Sequence, residues 1–151
     1  MTIEILKEDV KKELIQLENS CFGPSHWEMD LWDEIFSDLE RNVIYGIKVK
    51  DRLVAYLMIY NWGKERDYVK LTNLAVSEEY RNKKYASELM RYMLDHMRSS
   101  GIHDFRGETR VSNYSMQKVF ENFGFERKEV MKDYYDDPTE DALKYVSTNE
   151  N

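Results

Sequence analysis

The apolar positions of this chain alternate between helical and strand spacing, and each change of period marks an element. Met1 to Leu6 reads as a short strand. From about Glu8 to Phe22, Val10, Leu14, Leu17 and Cys21 recur at the helical period, and Gly23-Pro24-Ser25 breaks the run. Met29 to Leu39 predicts a second helix, with Leu31, Trp32, Ile35, Phe36 and Leu39 on one side. Two strands follow, Val43 to Val49 and Leu53 to Trp62, joined as a hairpin by Lys50-Asp51-Arg52. Gly63 to Asp67 reads as a charged turn and Tyr68 to Val76 as a further strand.

The clearest helix runs from Lys84 to Ser99. Ala86, Leu89, Met90, Met93, Leu94 and Met97 form its single apolar stripe, which reads as core packing rather than a ligand box. Gly101 ends it as a C-terminal cap. His103 to Val111 is a strand, and Ser112 or Asn113 caps a helix carrying Met116, Val119, Phe120 and Phe123, which Gly124 ends. Phe125 to Tyr134 and Ala142 to Val146 predict a final antiparallel pair around Asp136-Asp137-Pro138. The order β-α-α-β-β-β-α-β-α-β-β predicts an α/β or α+β sheet with helices on its faces.

Composition narrows this picture. At 151 residues, 42% hydrophobic and 34% charged, the chain is expected to be one domain, residues 1–151, with a real core. Its 6 glycines and 2 prolines do not cluster as a linker would. No apolar run is long enough to cross a bilayer, so no membrane partner is expected. Met1-Thr2-Ile3-Glu4 opens no secretory signal, and Cys21 is the sole cysteine, so a cytoplasmic home is the simplest reading. Cys21, at helical spacing from Leu14 and Leu17, reads as a buried core thiol. A net charge of −7 argues against nucleic acid as a partner and is compatible with cationic or amine substrates. His26 reads as a loop residue rather than a catalyst, His96 and His103 show no partner pattern, and no metal-ligand spacing or Ser/His/Asp or Cys/His arrangement is present.

The candidate chemistry lies between Leu71 and Phe125. Leu74-Ala75-Val76 ends a strand, and Tyr80-Arg81-Asn82-Lys83-Lys84-Tyr85-Ala86 turns into a helix. Free N–H groups at a helix start, aided by the helix dipole, bind phosphate. The next strand carries a carboxylate, Glu108, in its middle. A phosphate turn beside a carboxylate points to chemistry on a nucleotide-linked substrate.

Four motifs carry a family resemblance. Leu71 to Ala86 fits a strand leading into R-x-x-G-x-G/A; Glu108 to Asn113 fits E-V-R-x-S-N; Phe120 to Phe125 fits Y-x-x-x-G-F; Tyr134-Tyr135 with Glu140-Asp141-Ala142 fits a Y-Y…E-D-A ending. In this order the chain resembles the GNAT superfamily of acetyl-CoA-dependent N-acetyltransferases. Within it, the protein N-terminal acetyltransferases are most similar, including the RimI-like enzymes that acetylate a ribosomal protein. The resemblance implies a mostly antiparallel, centrally splayed sheet of about six or seven strands with four helices.

It also implies site roles. Arg81, Asn82, Lys83, Lys84, Tyr85 and Ala86 would hold the pyrophosphate of acetyl-CoA. The backbone of Leu74, Ala75 and Val76 would pair with the pantetheine arm, with Asn113 beside it. Glu108 would accept the proton of the attacking amine, often through a water. Phe22, Tyr134 and Tyr135 would enclose the start of a peptide whose α-amine is the acceptor, and an acidic rim of Asp133, Asp136, Asp137, Glu140 and Asp141 would attract it. The sequence is silent on oligomeric state.

Two residues depart from the family pattern. Lys84 stands where glycine is usual; it adds a cation and bulk and gives up easy access to positive φ. Phe120 stands where a tyrosine commonly protonates the leaving thiolate, and it cannot donate a proton. A thiolate can leave without an acid, Tyr114 can substitute, or turnover can be lost. Acetylation of a polyamine-like amine or a lysine, and CoA binding without turnover, therefore stay open as alternatives.

Overall fold

A computed structural model describes residues 1–63 and 65–148, so Lys64 of the expected charged turn lies outside the described residues. One seven-stranded sheet runs in the order β1-β2-β3-β4-β5-β7-β6. Its strands are β1 (Thr2–Ile5), β2 (Asn42–Val49), β3 (Arg52–Asn61), β4 (Val69–Val76), β5 (Phe105–Arg110), β6 (Glu126–Tyr135) and β7 (Glu140–Ser147). Every neighbouring pair is antiparallel except β4 and β5, which are parallel. Four α-helices accompany it: α1 (Lys11–Phe22), α2 (Met29–Phe36), α3 (Tyr85–Ser99) and α4 (Tyr114–Asn122). Among the described residues no helix is long and apolar enough to cross a membrane.

The sheet separates two apolar cores. Leu14 and Leu17 of α1 and Trp32, Ile35 and Phe36 of α2 pack on one face against Tyr56 and Met58 of β3. The α3 stripe and Phe120 of α4 pack on the other against Ala55, Leu57 and Ile59. Strand alternation makes this division, and burial on both faces explains why β3 reads as a nearly unbroken apolar run. Each fully buried large side chain contributes on the order of 1.5–3 kcal/mol, so these facing stripes hold the helices in place.

Several boundaries differ from the sequence expectation. The first helix opens as a 3-10 turn over Glu8–Val10 before α1. The second stops at Phe36, because Ser37 donates to the Glu34 carbonyl (2.5 Å) and the Asn42 amide to those of Asp38 (3.1 Å) and Ile35 (3.5 Å). Those side chains take up the carbonyls that a further helical turn would use. Leu31 is 38% exposed, since Trp32, Ile35 and Phe36 already fill the buried side. Asn113, not Ser112, caps α4 by accepting from the Met116 N–H at 3.1 Å. Cys21 is only partly buried, contrary to the expected core thiol: at the end of α1 its Sγ reaches the Val76 carbonyl at 3.5 Å.

One irregularity matters for function. β4 and β5 pair only at Val69↔Phe105, Lys70↔Arg106 and Leu71↔Gly107. On its other edge β4 slips register against β3, from Ile59↔Leu71 to Met58↔Asn73, which leaves Thr72 as an extra residue. Such a bulge bends the strand that carries it. The bend falls where β4 leaves β5, and the Thr72 hydroxyl is satisfied by the Met58 carbonyl at 3.2 Å. Beyond it, Asn73–Val76 and Glu108–Arg110 flank a gap.

Candidate active site

Glu108 is the first β5 residue past the last β4 pairing, so it stands at the mouth of the gap. Alternation along β5 turns Phe105, Gly107 and Thr109 into the α3–α4 core and leaves Arg106, Glu108 and Arg110 on the other face. Lys70 of β4 lies on that face, and its Nζ is 2.8 Å from Glu108 Oε1. The Glu108 side chain is only 14% exposed, so this ion pair is screened less than a surface one. Burial works against the Lys70 ammonium, but the hydrogen bond and charge of Glu108 outweigh it and hold its pKa above the usual lysine range.

Two tyrosines from the end of β6 complete this corner, edge to face with centroids 5.1 Å apart. Burial first, and then the charge of Glu108, pushes the Tyr135 phenol well above its usual range. Tyr134 is 47% exposed.

The rim is fastened by residues that the sequence reading passed over. The Arg110 guanidinium donates to the carbonyls of Pro138 (2.8 Å) and Asp136 (2.9 Å) and to Glu140 Oε1 (3.2 Å). It also lies over the Tyr135 ring, 4.6 Å from the centroid. Glu140 Oε2 accepts from the Ser112 N–H at 2.8 Å. Ser112 and Arg110 together hold the Glu140 carboxyl below the usual range. Across the cleft, the Ser25 hydroxyl donates to the Asp137 carbonyl at 2.8 Å, which joins the α1–α2 loop to the β6–β7 turn. That loop is tied down by Glu18, fully buried, whose carboxylate accepts the Trp27 N–H at 2.8 Å and the Trp32 indole at 3.4 Å. Burial pushes the Glu18 carboxyl up. Phe22, partly buried, packs on the core beneath the same loop.

The turn before α3 has the shape a phosphate loop needs. Asn82 (φ 64°) and Lys84 (φ 66°) both take the left-handed conformation, so the lysine adopts the backbone that a glycine would have held easily. No side chain caps α3, which leaves its opening N–H groups facing outward. Lys83 and Lys84 are exposed beside them. Arg81 turns back instead: its Nε donates to the Val76 carbonyl at 3.0 Å and so braces the end of β4. In the preceding segment, Asn73 Oδ1 accepts the Leu74 N–H at 3.0 Å. A helix start with two free-standing cations, beside a strand edge that has left its neighbour, fits a diphosphate carrying an extended arm.

Phe120 is fully buried, stacked on Tyr145 at 4.7 Å. Its ring end fills the space over Gly107, where an added Cβ would lie 2.7 Å from Phe120 Cζ. The phenylalanine is core, and no hydroxyl stands at this position. Tyr114 is 75% exposed on the first turn of α4. Asn113 has its Oδ1 engaged in the helix cap.

The sequence held a signal for the missed residues. Lys70 is the polar position of an alternating strand, and Arg110 follows Glu108 by two, on the same face. Their partners come from distant segments, so the alternation shows the face and not the contact.

A splayed mixed sheet with a left-handed turn opening α3 is the frame of this site, and the model of the Acetyltransferase (GNAT) family matches residues 11–125: the chain belongs to that family. A Bacillus subtilis (strain 168) relative, provisionally named ribosomal protein bS18-alanine N-acetyltransferase, is 33% identical over 85 residues, covering 56% of each chain. The chain spans about half the length of the curated relatives it matches. The crystal structure of the ribosomal-protein-S18-alanine N-acetyltransferase from Escherichia coli superposes with a TM-score of 0.86 at 20% identity, over 96% of this chain and 91% of that one. A GNAT family acetyltransferase from Elizabethkingia anophelis with acetyl-CoA bound gives a TM-score of 0.77 at 15% identity, over 96% and 95% of the two chains. These likenesses establish the fold.

Proposed function

We propose that this chain transfers acetyl from acetyl-CoA to the α-amine of a protein N-terminus, as a single catalytic domain acting in the cytoplasm. The observation that carries the reading is Glu108, a partly buried carboxylate set where β4 and β5 stop pairing. The names of the relatives support a ribosomal protein as acceptor.

Acetyl-CoA, when bound, supplies a thioester as the activated acyl donor. The opening N–H groups of α3, with Lys83 and Lys84, hold its diphosphate. The backbone of Leu74–Val76 aligns the extended arm along the freed edge of β4. The acceptor enters over Tyr134 and Tyr135, between the α1–α2 loop and the β6–β7 turn, with Phe22 under the loop. Its ammonium must lose a proton before it can attack. Glu108 takes that proton, directly or through a water. The free amine then attacks the thioester carbon directly, with no acyl group resting on the protein: the C–N bond forms, the C–S bond breaks, and the second proton of the nitrogen passes to solvent or to the departing sulfur. The leaving thiolate needs no phenol from α4: an alkyl thiol ionises near about pH 8.5, so its anion departs readily. Alignment of the two substrates supplies much of the rate.

Mass spectrometry tests this reading. The protein is incubated with acetyl-CoA and peptides of varied first residue, together with an N-terminally blocked lysine peptide and spermidine. Acetyl is expected on free α-amines, with alanine-initiated peptides among the good acceptors. Acetylation of the blocked peptide or of spermidine alone would move the function to another amine class. Calorimetric binding of acetyl-CoA with transfer to none of them would leave a binding module.

A further inference from the structure

Among the groups around the gap, Lys70 has no part in the scheme above, yet it is the cation that touches the proposed base. The charged and titratable groups around the Glu108–Lys70 pair come from the strands on either side. Tyr68 precedes β4 and Lys70 lies at its start, Arg106 and Arg110 are on β5, Tyr134 and Tyr135 on β6, and Glu140 and Lys144 on β7. From the helical side, Glu18 is turned inward onto Trp27 and Trp32. The other cations are committed elsewhere: Arg106 to Asp104 (3.1 Å), Arg110 to Glu140 (3.2 Å) and Lys144 to Glu129 (3.6 Å). Lys70 alone among them reaches Glu108, at 2.8 Å.

We propose that Lys70 is the positioning residue of this base: bonded to Oε1, it holds the carboxylate in place at the gap, so that Oε2 receives the amine proton. The inference rests on the reading of Glu108 as the proton acceptor.

The test is the pH profile of kcat/KM for the wild type, Lys70→Met and Lys70→Arg with an α-amine peptide. It is paired with an NMR titration of the Glu108 side-chain carboxyl in the same proteins. Loss of the cation disfavours the charged carboxylate, so the acid limb of Lys70→Met moves up by about one pH unit. The deficit is therefore about tenfold below the limb and is recovered above it. The NMR titration of Glu108 moves in the same direction, and Lys70→Arg keeps the wild-type limb. Thermal melts and acetyl-CoA calorimetry show whether Lys70→Met remains folded and loaded. An equal loss at every pH, or an NMR titration that does not move, overturns the proposal. Full activity of Glu108→Gln would instead remove the base reading, whatever the Lys70 titrations show.

Discussion

Lys84 holds the entrance of α3 in a conformation that costs a side-chain-bearing residue about 1–2 kcal/mol. A glycine would take it without that strain, so a lysine here gives up stability for a cation at the start of α3. Lys84→Gly is predicted to raise folding stability by about 1 kcal/mol in urea denaturation while weakening acetyl-CoA binding a few-fold in calorimetry, with the loss shrinking at high salt. Unchanged affinity would show that the side chain is only a solvated first-turn lysine. The substitution itself was visible in the sequence. Its left-handed backbone was not, because propensity argued against the conformation and the bend from β4 into α3 overrode it. Phe120 is the converse case: its spacing with Val119 and Phe123 marked it as core, and the fully buried ring agrees.

At the scale of elements, the gap is made by one extra residue. Thr72 bulges β4 where it leaves β5 after three paired positions, and Glu108 stands in the opening. The rim depends on Arg110, which gathers the β6–β7 turn through two carbonyls and Glu140. Hydrogen bonds to a charged group contribute about 1.5–3 kcal/mol. Arg110→Met should therefore raise the peptide KM by about tenfold or more, with a smaller change in kcat and unchanged acetyl-CoA affinity, as steady-state kinetics and calorimetry would show. An equal loss in kcat would place Arg110 nearer the reacting atoms than the rim. The elements themselves were legible, since the change from period two to helical period marks them directly. Their ends were less so: Ser37 and Asn42 stop α2 with side-chain bonds that periodicity does not register. The bulge at Thr72, and the bridge from Ser25 to Asp137, join segments far apart in the chain and leave no local trace.

At the scale of the whole molecule, an acidic protein of net charge −7 carries an exposed basic turn of Lys83 and Lys84 before α3. The strand order was not readable from periodicity, which states which face is apolar and not which strand is neighbour. The resemblance supplied the splayed sheet, and the described strands agree with it. Of the candidate site, the motifs drew attention to Glu108 and the α3 turn, while the contact of Lys70 with Glu108 appears only once β4 and β5 lie side by side.

The account depends most on Glu108 as the proton's destination. The direct measurement compares Glu108→Gln with the wild type in steady-state turnover of an α-amine peptide, alongside calorimetry of acetyl-CoA. The prediction is a kcat lower by ~100-fold or more, with donor affinity nearly unchanged. Near-normal turnover in the variant, with the donor bound equally well, would contradict it.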